Sequence, residues 1–423
     1  MTTYKKAGWI KNTDVYEVNV RQYTEEGTFN AFVKELPRLK EMGVSTLWFM
    51  PITPIAQKNK KGSLGSPYAC SDYTSINPEF GTLNDFKELV TEAHGMGFKV
   101  IIDWVANHTG WDHVWTKTNP DYFKKDNDTG DFKIASGMDD IIELDYKNPA
   151  LRNAMIAAMK YWVTECDIDG YRCDLAFWVE LSFWLEARTE LEKIKKLFWL
   201  AETEEPHYHE VFDASYTWEF LHKMEAYWRS ETDIGGLDWV LNKYESNFPN
   251  HALHLFFTSN HDENSHSGSE YERMGESAKV FAVLCATWKG IPLLYSGQEL
   301  PLKRRLAFFE KDKIEWTDNI ELHSFYKTLL HLHTKNPALR AKDSETFRLS
   351  TTADDIVFAF VRKNGESEVL VVLNLSANIN IRAEITDERV GGKFRNVFTK
   401  EFKDFSFAKN VEMQAWDYLV YEK

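Results

Sequence analysis

Four short apolar runs that end abruptly on polar residues set the pattern of this chain: "KVIIDWVANH", "DIDGYRCD", "KLFWLAETEE" and "LFFTSNHDEN". Runs this short are too brief for core helices and read as buried strands. As strands they carry Asp103 and His108, Arg172 and Asp174, Glu202, and His261 and Asp262 to their C-terminal ends. In a parallel α/β sheet or barrel that edge is where chemistry sits.

The rest of the chain supplies matching units. "VYEVNVRQY" reads as the first strand, followed by Thr28 and a helical pattern of Phe29, Phe32, Val33, Leu36 and Leu39 that stops at Gly43. "VSTLWFMPI" is a second strand, followed by a Gly-, Ser-, Pro- and Lys-rich loop from Thr53 to Phe80 that is long enough to be functional. Thr82 and Asp85 predict a capping box, with Gly95 and Gly97 at the far end of that helix. Asn148 and Pro149 predict the start of another helix. "EVFDASY" and "GIPLLYSGQ" complete eight strand candidates with helices between them, which favours a closed α/β barrel of the (β/α)8, or TIM, type.

Two stretches depart from the alternation. Residues 109–145 are polar, aromatic and turn-rich, a short excursion after the third strand. From about residue 346 the pattern becomes strand on strand, with a hairpin at Asn364-Gly365. The expected organisation is a catalytic barrel over 1–345 containing the excursion, then a small antiparallel β-sandwich domain over 346–423.

At 423 residues and 43% hydrophobic, the chain can bury a large core. Its net charge of −15 and the lack of a basic face exclude nucleic acid as the expected partner. No apolar run approaches a membrane span and no leader is recognisable, so a cytoplasmic protein is expected, although a leader removed beforehand leaves the same sequence. Cys70, Cys166, Cys173 and Cys285 form no metal or disulfide pattern and read as free, mostly buried thiols.

A cavity holding several carboxylates, an arginine and two histidines can cleave a glycosidic bond by paired-carboxylate chemistry. The ordered motifs "DWVANH", "GYRCD", "LAETEE" and "TSNHD" resemble the four sequence regions of the α-amylase family of glycoside hydrolases (family 13 type). The resemblance implies a retaining enzyme that cleaves α-1,4-glucosidic bonds in starch or malto-oligosaccharides. A 4-α-glucanotransferase using the same covalent intermediate is the alternative, and an inactive carbohydrate-binding barrel is a third reading that the retained carboxylates oppose.

By that resemblance Asp174 occupies the nucleophile position, Glu202 the general acid/base and Asp262 the third carboxylate. Glu204 and Glu205 compete with Glu202 on sequence alone. Arg172 lies two residues before Asp174, so both side chains share a strand face and the guanidinium can hold the carboxylate ionised. Tyr68, His108 and His261 match residues that contact the sugar, Asp103 is expected to orient its neighbours, and Asn260 to buttress His261 and Asp262. Phe177 and Trp178 replace a Lys-His pair found in many family members; Trp178 offers a sugar-stacking surface or packs the barrel. No cofactor is expected. Asn107 matches a family calcium ligand whose His partner is absent, so calcium does not carry over. A loop containing Asp126, Asp128 and Asp131 is either a separate calcium site or a solvated acidic turn.

Overall fold

The computed structural model describes residues 4–423. Eight parallel strands close into a barrel: β1 (Val15–Val18), β2 (Thr46–Phe49), β3 (Lys99–Trp104), β4 (Gly170–Cys173), β5 (Phe198–Ala201), β6 (Ala214–Tyr216), β7 (Leu253–Phe256) and β8 (Ile291–Tyr295). Seven of the eight lie within runs expected to be strands, and β7 starts two residues ahead of its run, at Leu253. The first is shorter than its sequence suggests: it ends at Val18, and Val20–Tyr23 turns into a short helix. The following helical segment is broken into Phe29–Phe32, a 3-10 turn and Leu36–Met42, with Pro37 in the first turn of the last piece, where a missing N–H costs nothing. Gly43 closes it at φ 104°, a conformation that a side chain would strain.

Local capping follows the sequence reading. The Thr82 side chain accepts from the Asp85 N–H while Asp85 accepts from the Thr82 N–H, the reciprocal arrangement of a capping box. Asn148 accepts from the Ala150 N–H at the start of the helix Pro149–Cys166, which returns the chain to β4. The excursion is a three-stranded antiparallel sheet of His108–Gly110, Met138–Glu143 and Ile134–Ala135.

Register decides which side chains meet above the barrel. Asp103 pairs with Arg172 across β3 and β4, and Cys173 pairs with Ala201 across β4 and β5. The Asp174 N–H donates to the Trp104 carbonyl and the Glu202 N–H to the Cys173 carbonyl. Asp174 and Glu202 therefore leave neighbouring strands at one level.

After Glu345 a six-stranded antiparallel sheet is faced by a two-stranded one, Ile381–Glu384 with Asn410–Met413. Strand alternation sorts the two faces. Phe358, Phe360, Val369, Val371 and Leu373 pack into the same apolar core as the barrel helices. Val357, Ala359, Val361, Leu370 and Val372 pack instead with Ala383, Val411 and Met413 of the small sheet. All four cysteines are free and buried. Among the described residues no helix is long and apolar enough to cross a membrane.

Candidate active site

A cavity of about 330 Å³ opens at the C-terminal end of the barrel, and Tyr68, His108, Asp174, Glu202, His261 and Asp262 all line it. Beneath them lies Arg172, fully buried. Its Nη1 donates to Asp174 Oδ1 at 2.8 Å and to Asp103 Oδ1 at 3.1 Å. Its Nη2 stands 2.9 Å from Glu202 Oε2, a close ion pair set outside hydrogen-bond alignment. Its Nε donates to the Tyr216 hydroxyl at 3.1 Å. One guanidinium thus fixes three carboxylates, and the planar fork of arginine suits that task better than an ammonium.

The bonds also determine which oxygens stay available. Glu202 Oε2 takes the Leu175 N–H at 2.8 Å as well as the arginine, and no hydrogen bond from the described residues reaches Oε1. Asp174 Oδ1 is held by Arg172, while Oδ2 is left to the cavity. A proton on Glu202 therefore belongs on Oε1, and the attacking lone pair of Asp174 belongs on Oδ2.

Electrostatics orders the two acids. Burial, reinforced by the charges of Asp174 and Asp262, pushes Glu202 up to about 7 against the pull of Arg172. Burial also raises Asp174, to about 6, with Arg172 opposing it. Glu202 keeps its proton to higher pH, the division a general acid and an ionised nucleophile need.

His261 stands between two carboxylates. Its Nδ1 meets Glu17 Oε1 at 2.5 Å, and its Nε2 lies 2.8 Å from the Tyr68 hydroxyl and 3.2 Å from Asp262 Oδ2. Burial opposes a charge on this imidazole, but Asp262 and Glu17 hold its pKa well above the ordinary range. Burial alone would raise Asp262; the charge and hydrogen bond of His261 override it and hold that carboxyl near 2. The Tyr68 hydroxyl donates a hydrogen bond to Asp103 Oδ2 at 3.0 Å, and its ring stacks on His261 with centroids 5.2 Å apart.

His108 is neutral, its pKa lowered to about 4 by burial. The Asn107 amide donates to its Nδ1 at 3.3 Å, which leaves the proton on Nε2, a buried nitrogen without a partner among the described residues. A sugar hydroxyl is the kind of group that satisfies such a donor.

Several sequence expectations are refined. Asp103 and Arg172 sit behind the lining rather than on it: Asp103 is enclosed by Arg172, Tyr68 and the Trp48 indole, which donates at 3.2 Å. They brace the residues that face the cavity. Glu204 turns away to the Tyr244 hydroxyl and the Glu219 N–H, and Glu205 is exposed. Asn260 caps the turn after Asp262 by accepting from the Glu263 N–H. Trp178 lies outside the catalytic cavity, 39% exposed, beside a second polar cavity it shares with Asn107 and Glu143. In the acidic loop Asp126 spends Oδ1 on the Asp128 and Thr129 N–H groups, and among the described residues no three His, Cys, Asp or Glu converge as metal donors. The side chains of Phe177 and Trp178 carry no oxygen that could join Asn107 as a cation ligand.

Sequence reasoning missed Glu17 and Phe308. Glu17 is a carboxylate inside an otherwise apolar strand, a signal that could have been read as a buried partner for a histidine. Phe308, stacked on Tyr68 with centroids 6.2 Å apart, follows the last strand in a loop without periodicity and carries no such signal.

A family model described as "Alpha amylase, catalytic domain" matches residues 10–139 and 121–314. Among solved structures, a maltogenic alpha-amylase, AmyB, from Thermotoga neapolitana is 30% identical and superposes with a TM-score of 0.89, covering 98% of this chain and 99% of the other. An alpha-amylase from Lactobacillus plantarum is 28% identical with a TM-score of 0.88 over the same shares of both chains. Alpha-amylase MalA of Haloarcula japonica is 27% identical over 88% of this chain, which spans 57% of that relative's length.

Proposed function

We propose, from the premise that this chain belongs to the alpha-amylase family, that it hydrolyses α-1,4-glucosidic bonds of starch-derived chains or malto-oligosaccharides by double displacement. The observation that carries the reading is the single buried guanidinium of Arg172. It ties Asp174 Oδ1 and Glu202 Oε2 in one cavity and leaves the other oxygen of each carboxylate free. Two carboxylates on neighbouring nitrogens of one guanidinium suit the close spacing of a retaining pair, about 5 to 5.5 Å, better than the wider gap that admits a water between them. Relatives named maltogenic alpha-amylase and alpha-amylase support the substrate class.

In this mechanism Asp174 Oδ2 attacks the anomeric carbon while Glu202 Oε1 gives its proton to the leaving oxygen. The bond from carbon to that oxygen breaks and a glycosyl ester with Asp174 forms. Glu202, now ionised, takes a proton from water, whose oxygen displaces Asp174 and restores both groups. Asp262, held ionised by His261, and the Nε2–H of His108 bind sugar hydroxyls as positive charge develops, a contribution that counts when it is stronger in the transition state than in the ground state. Asp103 and Arg172 act through the groups they position.

Chromatography of maltoheptaose digests, with proton NMR of the first products, tests this. Only shorter chains, released first as the α-anomer, are expected. Initial β-anomer would overturn the double displacement, and chains longer than the substrate would point to transfer instead.

A further inference from the structure

The rim of the cavity is unequal on its two sides. On one side the loop between β2 and the next helix bridges both neighbouring loops. It joins the excursion where the Gly110 N–H donates to the Cys70 carbonyl and the Val114 N–H to the Ser71 carbonyl, both at 2.9 Å. Ala56 and Ala69 pack there with Ala135 and Ile141, so tightly that a Cβ on Gly110 would overlap Ala56. Its other flank joins the loop after β8: the Leu64 N–H donates to the Phe309 carbonyl at 3.1 Å and the Ser63 N–H to Glu310 Oε1 at 2.7 Å. Between these two seams Lys61 Nζ pairs with Asp140 Oδ1 at 2.8 Å and Asp139 Oδ1 at 3.3 Å, and both Lys61 and Asp140 line the catalytic cavity. Asp140 is 4% exposed and the Lys61 side chain 37%, so a buried carboxylate holds a partly exposed ammonium at the edge of the cavity.

The other side is open. Leu175, whose N–H holds Glu202, leads to Phe177 and Trp178, exposed by 43% and 39%. Beside them lies the polar cavity of about 440 Å³ lined by Asn107, Ser136, Glu143 and Trp178. A group that protonates a leaving oxygen must stand on the leaving-group side. In an α-1,4-glucan that oxygen is O4 of the unit toward the reducing end. The remainder of the chain therefore leaves past Phe177 and Trp178, and the glycosyl side, with its free 4-hydroxyl end, faces Lys61 and Asp140.

We infer that the cleft is a dead end on its glycosyl side, walled by the Lys61–Asp140 pair, and that the enzyme works from non-reducing chain ends, releasing short units. This rests on the hydrolase reading above. The test compares two maltoheptaosides labelled at the reducing end, one free and one with its terminal 4- and 6-hydroxyls bridged by an acetal. The free substrate should give labelled products that start near full length and shorten stepwise. The blocked one should react about tenfold more slowly or worse, the scale on which a closed pocket rejects an added group. Equal rates, or short labelled fragments from the outset, would overturn the dead end. No cleavage of either would overturn the hydrolase reading and this inference with it. A double variant, Lys61→Ala with Asp140→Ala, should narrow the gap between the two substrates severalfold; an unchanged gap, in a variant that still melts normally and cleaves the free substrate, would remove this pair as the wall.

Discussion

Asp174 and Glu202 owe their different tasks to one arginine and to depth. Asp174→Asn and Glu202→Gln keep volume and Arg172 contacts while removing the attacking charge or the transferable proton. Each is expected to cut turnover about a thousandfold or more while the melting temperature does not fall, since such groups act as a unit; steady-state rates with thermal melts check it. Asp174 must be ionised and Glu202 protonated, and burial places them at about 6 and about 7. The rate should therefore fall on the acid side as Asp174 takes a proton and on the alkaline side as Glu202 loses one, giving a bell in kcat/KM with both limbs above the ordinary carboxyl range. The same shift bears on stability. A carboxyl raised from 4.5 to about 7 gives up its proton first in the unfolded chain, so the native state weakens as pH climbs through that window. Glu202→Gln should consequently melt higher than the parent protein at alkaline pH, and a lower melt there would contradict the raised acid. Glu17 acts at one remove. Glu17→Gln takes away a charge that favours protonated His261, so the hold of His261 on Asp262 should weaken and kcat should drop more than KM rises; an unchanged kcat with only a lower melt would make Glu17 merely structural.

The strands decide how accurately those side chains meet, and there is little room between β4 and β5. A Cβ built on Gly170 would stand 2.2 Å from the Phe198 carbonyl oxygen and 2.8 Å from its nitrogen, both backbone atoms of β5. Backbone in a barrel sheet cannot step aside as a flexible side chain can. Gly170→Ala is expected to cost about 1 to 3 kcal/mol, as overpacking does. Because the shift falls between the strands that bear Asp174 and Glu202, it should also lower kcat, which urea unfolding measured beside turnover would reveal. A variant of parental stability would show that β5 can yield. Exposed elements give smaller effects: Thr82→Ala removes one half of a reciprocal cap and is expected to cost about 1 kcal/mol. The sequence announced these elements because their rules are local: the eight apolar runs, the cap at Thr82 and the helix start at Asn148 depend on residues close in the chain. The end of β1 at Val18 did not show, because "VYEVNVRQY" continues its apolar alternation and only packing above the barrel turns it into a helix.

At the scale of the molecule, legibility follows the same division. Asp174, Glu202, Asp262, His108 and His261 could be nominated because strand ends in a parallel barrel converge on one face. That Arg172 and Asp103 lie beneath the cavity while Phe308 helps to form it depends on depth and on loop paths, which no short motif encodes. The closed side of the cleft is a three-loop property: residues near 61, 140 and 310 are far apart in sequence and meet only through backbone bonds, ion pairs and packing between loops. The same is true of the seam between the barrel and the C-terminal sheet, where hydropathy gave alternating strands but not what they lean on. One face of that sheet joins the barrel core, and Arg362, fully buried, crosses from it. Its Nη1 donates to the Trp288 carbonyl at 2.7 Å and the Thr287 carbonyl at 3.2 Å, while Nη2 reaches Ser344 and the Arg340 carbonyl. Burial lowers its pKa, to about 9, against the charge of Glu245, so it remains charged at neutral pH without a carboxylate at hydrogen-bond distance, held by carbonyls and the Ser344 hydroxyl. Arg362→Met fills much of the same space but takes the donor from the Thr287 carbonyl at the end of a barrel helix, while Trp288 keeps the Gly290 N–H, at a cost of about 1 to 3 kcal/mol. The expected result is a clear fall in melting temperature with KM and the pH profile unchanged, because the seam lies away from the cavity. If Arg362→Met instead melted at or above the parental temperature, the buried charge would be a burden rather than the clasp, and the apolar face of the sheet would hold the two parts together without it.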